Sequence, residues 1–575
     1  LSRLLHNNIF AGVFISILAA VVLIPLIGNC HLFDWDEINF AECAREMLVT
    51  GNYSLVQINY QPFWEKPPLF IWLQALSMNL FGVNEFAARL PNAVCGIVTV
   101  LTLFFTGKKL FNLRFGLTWS LIHLSSLLPH LYFKSGIIDP WFNFFILLSI
   151  ILFFFAVQPK SKNTTIHFVL SAFTLGLAVL TKGPAALIIV SFTLLVYMLL
   201  AHKMLLLKKP VFYLFKILVL VSSFSWFAYM YMSGKKDLLD GFMDYQIRLF
   251  KTPDSGHDGP FFYHMAVLLL GCFPASILFL LSLRYKINLQ PSQREFKLLM
   301  LVLFVVVLVI FSIVKTKIVH YSSLCYVPLS FMASLLLYKF REKFKRPIPA
   351  KAVYVFIASV VFIIITAFTQ FPLLKDWILQ SGLILDEFTR LNLQAYISYK
   401  IWELTIPLLY LVSVIVIYRG LFNHKIATVV KGFVLHLLFI ILAINVFVPK
   451  IELISQRSAI QFYKYTATQN AYIETHAFKS YAYLFYSLRM PIHYHNSERE
   501  NYVARFYSYH DSTMFKPHYY AHANSMWMLE GVIDKPAFIV VKSTAEDMLK
   551  PYPGVKKLYS QNGFSFYMRL REPDN

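Results

Sequence analysis

Charge is scarce in this chain. Only 14% of its 575 residues are charged while 58% are hydrophobic, whereas a soluble domain rarely exceeds about half apolar. That balance excludes an ordinary soluble protein. The apolar residues collect in blocks of about 17–22 with few charges, the pattern of transmembrane helices. Acidic residues are the scarcer sign, 30 against 52 basic ones, for a formal charge of +22. In a soluble protein that excess would raise nucleic acid as a partner; in a membrane protein the first question is where the charges lie. Cysteine is sparse too. Cys30, Cys43, Cys95, Cys272 and Cys325 are scattered and form neither a CxxC pair nor a disulfide framework. The chain lacks a Gly-rich phosphate loop, a defensible Ser-His-Asp arrangement, internal repeats and low-complexity segments.

What is there is a series of apolar runs. About thirteen spans are predicted, near 9–29, 86–106, 115–133, 141–157, 166–181, 184–201, 211–232, 263–283, 298–314, 320–338, 352–371, 401–418 and 432–449. The first is long and lacks a small-x-small cleavage site, so it reads as a retained helix. Alternate connections are basic: Lys108–Arg114, Lys160–Lys162, Lys203–Lys209, Arg284–Lys297, Lys339–Lys351 and Arg419–Lys431, opposed by Glu295 and Glu342. The positive-inside rule puts these loops and the N-terminus in the cytoplasm and the tail outside. Much of the basic excess is therefore topological and needs no nucleic acid. The cytoplasmic loops are also too short to bind a nucleotide sugar or ATP.

The outer side carries four larger pieces, about 30–85, 234–262, 370–400 and 450–575. This divides the chain into a membrane domain, 1–449, and a small extracytoplasmic domain, 450–575. In the first loop "DEINFAECAREMLVTG" spaces Ile38, Ala41, Ala44, Met47 and Leu48 as a helix, with Gly51 as its C-cap. "PPLFIWLQALSMNLFG" opens on prolines and ends in Gly82. Both are expected to be amphipathic helices along the membrane surface. In the tail, "AYLFYSL", "AFIVVK" and "GFSFYMRL" read as strands and "RSAIQFYKYTATQ" as a helix, giving a mixed α/β domain.

Polar groups concentrate at the outer boundary. Asp34, Asp36 and Glu37 follow the first span, where they either cap the next helix or form a rim, or carry chemistry. Asp139 lies in the very short connection "KSGIIDPWF"; a carboxylate at that depth is costly unless it is paired, caps a helix or is functional. Glu65 and Lys66 in "FWEKPPL" read as a simple ion pair or as site residues. Lys182 in "LTKGPA", and Lys315, Lys317, His320 and Tyr321 in "KTKIVHYS", sit in tight outer turns where basic residues should be scarce. Either they snorkel to ordinary headgroups or they hold an anion, and a lipid phosphate suits the point charge of lysine. His257 in "DSGHDGPFFYH" stands alone, and the tail histidines His493, His495, His518 and His522 match a metal set only loosely.

These stretches resemble a known family. "DEINFAECAREMLVTGNY" with "FWEKPPLFIWLQALSMNLFGVNEFAARLPNAV" is similar to the first outer loop of the GT-C glycosyltransferases. Within these it looks most like the bacterial group related to protein O-mannosyltransferases and the aminoarabinose transferase that modifies lipid A. "IIDPWF", "LTKGPA", "GHDGPFFYHMAVLLLGCFP" and "KTKIVHYSSLCYVPL" resemble the later motifs in the same order, over roughly the first 340 residues. The resemblance implies an inner-membrane enzyme that moves a sugar from a polyprenyl phosphate, undecaprenyl phosphate in bacteria, to a lipid, glycan or protein acceptor outside. It puts the base on Asp36, matches Asp139 to a second family aspartate and puts a phosphate binder on Lys66; the reading of the residues adds Glu37 to the carboxylates, and Lys182, Lys315, Lys317, His320 and Tyr321 to the donor phosphate site. It implies a zinc ion on Glu65 and His257. The family often has Arg three residues after the base, and here that residue is Asn39.

Such a transfer needs cations for the leaving phosphate and a base for the incoming hydroxyl. No strong acid is demanded, and in-line attack would invert the sugar. The rival reading is a transporter or flippase of an anionic lipid-linked substrate. It predicts repeated halves and helices interrupted near mid-membrane, whereas the charges here gather at one face. An assembly protein whose tail binds a partner would leave the basic outer turns without a reason.

Overall fold

The structure, a computed structural model, describes residues 7–63, 65–159, 163–251, 258–285, 287–338, 348–490, 496–509 and 517–571. The membrane part begins with α1 (Asn8–Leu23) and, after the first outer loop, continues with α4 (Glu85–Leu110). Between them lie α2 (Asp36–Thr50), a short hairpin of β1 (Gln57–Ile58) and β2 (Gln61–Pro62), and α3 (Leu69–Phe81). Next come α5 (Leu113–Leu124), α6 (Leu127–Phe133), α7 (Asp139–Ala156), α8 (Thr164–Lys182), α9 (Ala185–Leu200) and α10 (Pro210–Met232). An outer helix, α11 (Lys236–Lys251), precedes α12 (Tyr263–Gly271), α13 (Ala275–Arg284), α14 (Pro291–Ile313) and α15 (Tyr326–Tyr338). The last membrane helices are α16 (Ile348–Gln380), α18 (Thr405–Phe422) and α19 (Ile426–Ser455), with the short α17 (Glu387–Asn392) between the first two.

Every predicted span coincides with a helix or a broken helix. Among the described residues, nine helical stretches are long and apolar enough to cross a membrane, and the bent pair α12–α13 makes a tenth. α1 and α9 have 16 residues each, about 24 Å of helix against a hydrocarbon core of about 30 Å. The 115–133 span is divided at Ser125–Ser126 into α5 and α6. The composition of these stretches is that of spans, but their helices are short or broken, so the count of thirteen exceeds what helix length supports.

Local sequence sets the helix limits. Asn84 and Asn112 cap α4 and α5 by accepting from Ala87 N at 2.9 Å and Phe115 N at 3.0 Å. Gly51 ends α2 in the left-handed region at φ 67°. α4 and α5 meet at glycines: a Cβ on Gly116 would stand 2.4 Å from the Phe104 carbonyl oxygen. Small residues permit that approach between membrane helices. α10 and α16 bury only 22% of their apolar windows and turn the rest outward, whereas the stretch ending in α15 is 89% buried and forms the centre.

α19 continues through Pro449 to Ser455, a few residues past the expected boundary. The tail then folds as α20 (Arg457–Thr466), β3 (Tyr472–Thr475), α21 (Ala482–Tyr486), α22 (Ser497–Tyr509), α23 (Pro517–Glu530), β4 (Ala537–Lys542), β5 (Val555–Gln561) and β6 (Phe564–Arg569). The sheet order is β3-β4-β6-β5, with β3 and β4 parallel and the other pairs antiparallel. "AFIVVK" and "GFSFYMRL" supply β4 and β6 as expected. "AYLFYSL" does not form a strand: Ala482–Tyr486 is a helical turn buried at every position. A short apolar run without alternation cannot be told from buried helix by pattern.

The tail and the first loop share one hydrophobic core, in which Ile38, Phe40 and Met47 pack with Ile460, Tyr483 and Phe566. α3 keeps an outer apolar edge, with Leu76, Leu80 and Phe81 exposed. α2 is enclosed: Glu37 through Met47 are all buried. Tyr486 accepts from Leu32 N at 2.7 Å, Gln456 donates to the Leu32 carbonyl at 2.6 Å, and Arg45 donates to the Arg489 carbonyl at 2.7 Å. The first loop is thus held between the membrane helices and the tail.

Candidate active site

A cavity of about 540 Å³ lies at the junction of the first loop, the outer ends of α7 and α8, the turn before α15, α11 and the tail. That is the size of a small-ligand site. It brings together Asp36, Glu37, Glu65, Lys66, Asp139, Lys182, His320 and Tyr321 from five separate parts of the sequence.

Helix ends place the charges. Asp36 opens α2 and Asp139 opens α7, each at the helix end that favours negative charge. Lys182 is the last residue of α8, the end that favours a cation. Lys182 Nζ donates to Asp139 Oδ1 at 2.5 Å. His320 Nε2 stands 3.6 Å from Asp139 Oδ2 and 3.8 Å from Asp36 Oδ2. The imidazole therefore stands between the two carboxylates, at distances longer than hydrogen bonds. The Asp36 side chain keeps 37% of its surface open and that of Asp139 only 5%. Lys66 donates to the Tyr245 hydroxyl at 3.1 Å and lies 4.5 Å from that ring's centre, and the Arg248 guanidinium lies 5.3 Å from the same centre. Lys182 also faces the Tyr321 ring at 4.9 Å.

Glu37 differs from its neighbour. Arg89 grips it bidentately at 2.9 and 2.7 Å, and the amides of Phe33 and Gly136 donate to it at 2.8 and 2.5 Å. Burial pushes the Glu37 carboxyl up, but the Arg89 charge and these hydrogen bonds outweigh it and hold the group below the usual carboxylate range. With its oxygens engaged, Glu37 ties the loop to α4 at the cavity wall. Arg89 also donates to the carbonyls of Ile27, Cys30 and His31. The readable signal for Arg89 is an arginine at the start of an apolar span, which demands a partner.

Lys315 and Lys317 are not brought into the cavity. Lys315 is exposed. Lys317 turns back to cap α14, donating to the carbonyls of Phe311, Ser312 and Val314 at 3.0, 2.7 and 2.5 Å. His257 lies outside the described residues. Glu65 lines the cavity wall, and among the described residues no group of three or more His, Cys, Asp or Glu side chains could hold a metal.

Several cavity residues escape sequence reasoning. α11 contributes Tyr245, Gln246 and Arg248, and the tail contributes Lys479. Asn39, buried on α2, closes a ring with Trp35: its amide donates to the Trp35 carbonyl at 3.1 Å and accepts from the indole at 2.9 Å. The Trp35 ring so fixed packs at a 35° tilt against the Tyr481 ring, centres 5.3 Å apart, and lies under the Lys479 ammonium at 4.2 Å. Asp34 also reaches the cavity. It keeps surface open to that space yet is ringed by protein, and desolvation lifts its carboxyl to about 6 against the pull of Ser480 and Lys479.

The architecture is that of an integral membrane protein with a polar cavity at one end of its helices, roofed by an α/β domain. It is the GT-C fold. Over 98% of this chain and 99% of the other, the structure superposes with a TM-score of 0.72 on ArnT from Cupriavidus metallidurans, solved bound to undecaprenyl phosphate, at 16% identity. Residues 65–229 match the model of the dolichyl-phosphate-mannose-protein mannosyltransferase family. The chain is 28% identical over 341 residues to the undecaprenyl phosphate-alpha-4-amino-4-deoxy-L-arabinose arabinosyl transferase of Wigglesworthia glossinidia brevipalpis, covering 59% of this chain and 60% of the relative. The corresponding enzyme of Photorhabdus laumondii subsp. laumondii is 26% identical over 334 residues, covering 56% and 58%. The chain thus matches about three-fifths of the length of these curated relatives.

Proposed function

We propose that the chain is a glycosyltransferase of the cytoplasmic membrane that takes a sugar from a polyprenyl phosphate and transfers it to a hydroxyl of an acceptor on the outer face. The names of its relatives and the ligand of ArnT favour undecaprenyl phosphate as the carrier, and a lipid, a glycan or a protein is the acceptor. The basic connections face the cytoplasm, and the cavity and tail face outward.

The observation that carries the reading is the separation of charges in one cavity. Lys66 and Lys182 supply cations for the leaving phosphate, and Asp36 offers an accessible carboxylate beside them. Asp139 is committed to Lys182, and Glu37 to Arg89. Asp36 is therefore the base. The acceptor oxygen attacks the anomeric carbon while Asp36 takes its proton. The bond from that carbon to the phosphate oxygen breaks, and the electron pair leaves with the lipid phosphate, whose charge Lys66 and Lys182 balance. His320 stands between Asp36 and Asp139, where its ring nitrogen can take up the proton that Asp36 removes. Inversion at the sugar follows from in-line attack. The zinc ion expected on Glu65 and His257 is not used in these steps; Glu65 lines the cavity, and His257 lies outside the described residues.

The test is sugar release from a polyprenyl phosphate sugar by purified protein with an envelope fraction as acceptor. Turnover with a labelled product supports the proposal and identifies the acceptor. Failure to bind any polyprenyl phosphate overturns it in favour of a transporter.

A further inference from the structure

A separate cleft, of about 310 Å³, opens where the outer ends of α1, α6 and α19 meet. It backs onto the catalytic cavity: Phe33, Glu37 and Ile137 line both. Its mouth is apolar, with Leu26, Leu131 and Ile451 exposed. These three stand at the outer ends of their helices, the level at which hydrocarbon gives way to head groups. The cleft therefore has one wall against the active site and a mouth toward lipid.

One charge in this cleft is unbalanced. Glu37 is the single carboxylate among its described lining residues, and Arg89 already pairs with it. Lys134 is left over. It directly follows α6 and is buried, 8% exposed. Its ammonium donates to the Pro25 carbonyl at 2.9 Å, which ties the end of α6 to the turn after α1. An ammonium has three donors, and among the described residues that bond is the one its side chain makes. Tying the turn thus explains one donor and leaves the charge unmet, a costly state for a buried cation. Asn29 and Asn445 add side-chain amides to the same lining, and Asn445 gives one amide hydrogen to the Ile441 carbonyl at 2.7 Å and keeps the other. A buried cation and amide donors behind an apolar mouth suit a ligand that joins an anionic oxygen to hydrocarbon.

We propose that this cleft binds one anionic glycerophospholipid of the outer leaflet, with its phosphodiester on Lys134 and its acyl chains against Leu131, Ile444 and Val448. The lipid is not the sugar donor, because the cations for that phosphate, Lys66 and Lys182, line the catalytic cavity and Lys134 does not. A zwitterionic head group would bring a second cation into a lining whose carboxylate is taken, so a head group such as phosphoglycerol fits best. The shared wall gives the lipid a role. Glu37 adjoins Asp36, and Ile137 lies two residues before Asp139. A lipid seated in the cleft braces that wall from the side away from the substrate. The inference stands on the membrane architecture and does not need the transferase reading.

The test is native mass spectrometry of the delipidated full chain in detergent, titrated with phosphatidylglycerol and with phosphatidylcholine, beside the melting temperature with each lipid. The wild type is expected to bind phosphatidylglycerol at least about fivefold more tightly than phosphatidylcholine, the value of one charge-assisted hydrogen bond, and to melt at a higher temperature when it is saturating. In Lys134→Met the preference should shrink to within about twofold, and Lys134→Arg should keep it. Lys134→Met also loses the bond to Pro25, so Val448→Trp, which fills the cleft and leaves the ammonium in place, is the second variant. It should weaken phosphatidylglycerol by a factor similar to that in Lys134→Met and abolish the rise in melting temperature. A phosphatidylglycerol preference equal in the wild type, Lys134→Met and Val448→Trp places the lipid on the basic cytoplasmic loops and overturns the site. Displacement of the bound lipid one for one by undecaprenyl phosphate assigns the cleft to the polyprenyl carrier and overturns the phospholipid as its occupant.

Discussion

At the residue scale, adjacent carboxylates have opposite fates. Asp36 opens to the cavity, while Glu37 is locked by Arg89 and two amides. Asp36→Asn is expected to cut sugar transfer at least about a hundredfold, the lower range for loss of a general base, with an unchanged melting temperature. Glu37→Gln leaves a buried guanidinium without its counter-charge, which costs about 3–5 kcal/mol. It should lower the melting temperature or abolish expression, and Arg89→Ala should do the same. The lysines separate likewise. Lys66→Ala should weaken undecaprenyl phosphate binding about tenfold or more, as loss of a charge-assisted contact does. Lys317→Met should lower the melting temperature, because Lys317 caps α14, yet leave undecaprenyl phosphate affinity within about twofold of the wild type. Equal losses of affinity in both would return Lys317 to the phosphate site.

At the element scale, α11 roofs the cavity. Its Phe242 ring stands 2.8 Å from where a Cβ on Gly183 would be, directly after Lys182. Its Tyr245 covers Lys66. Tyr245→Ala removes a cation–π contact of about 0.5–2 kcal/mol. It should raise the donor KM several-fold with little change in kcat; a fall in kcat alone would place Tyr245 at the reacting atoms instead. Helix α11 was legible in principle, since "KDLLDGFMDYQIRLFK" spaces Leu238, Leu239, Phe242 and Met243 along one face. Its contact with the site was not, because nothing local says which way that face turns. The same limit applies to α2. Spacing and Gly51 reveal the helix, but its enclosure depends on Gln456, Tyr486 and Arg489, more than 400 residues away in the chain. Asp36, Asp139, Lys66 and Lys182 could be read because charge at a span boundary is conspicuous against apolar sequence. Lys479 could not, since one lysine in a soluble domain carries no such contrast.

At the scale of the whole molecule, the tail is part of the site. It shares a core with the first loop and supplies Lys479 to the cavity. Its own stability should therefore set the pH range of activity. Glu474, on β3, is fully buried. Burial lifts its carboxyl to about 8, against the pull of Tyr483, the Thr475 amide, Arg499 and Asn524. The folded state thus keeps a proton that the unfolded chain releases near its ordinary value of 4.5. Between those two values the native state binds more protons than the unfolded one, so stability falls as pH rises. Glu474 contributes no penalty below about 4.5, and its effect is complete above about 8. Glu474→Gln removes the titrating group while keeping its shape. The melting temperature should then fall less between those two pH values than it does in the wild type, and more activity should remain at pH 8 than in the wild type. Identical pH–melting curves for the two proteins would show that Glu474 is ionised in the fold and that another group sets the alkaline limit.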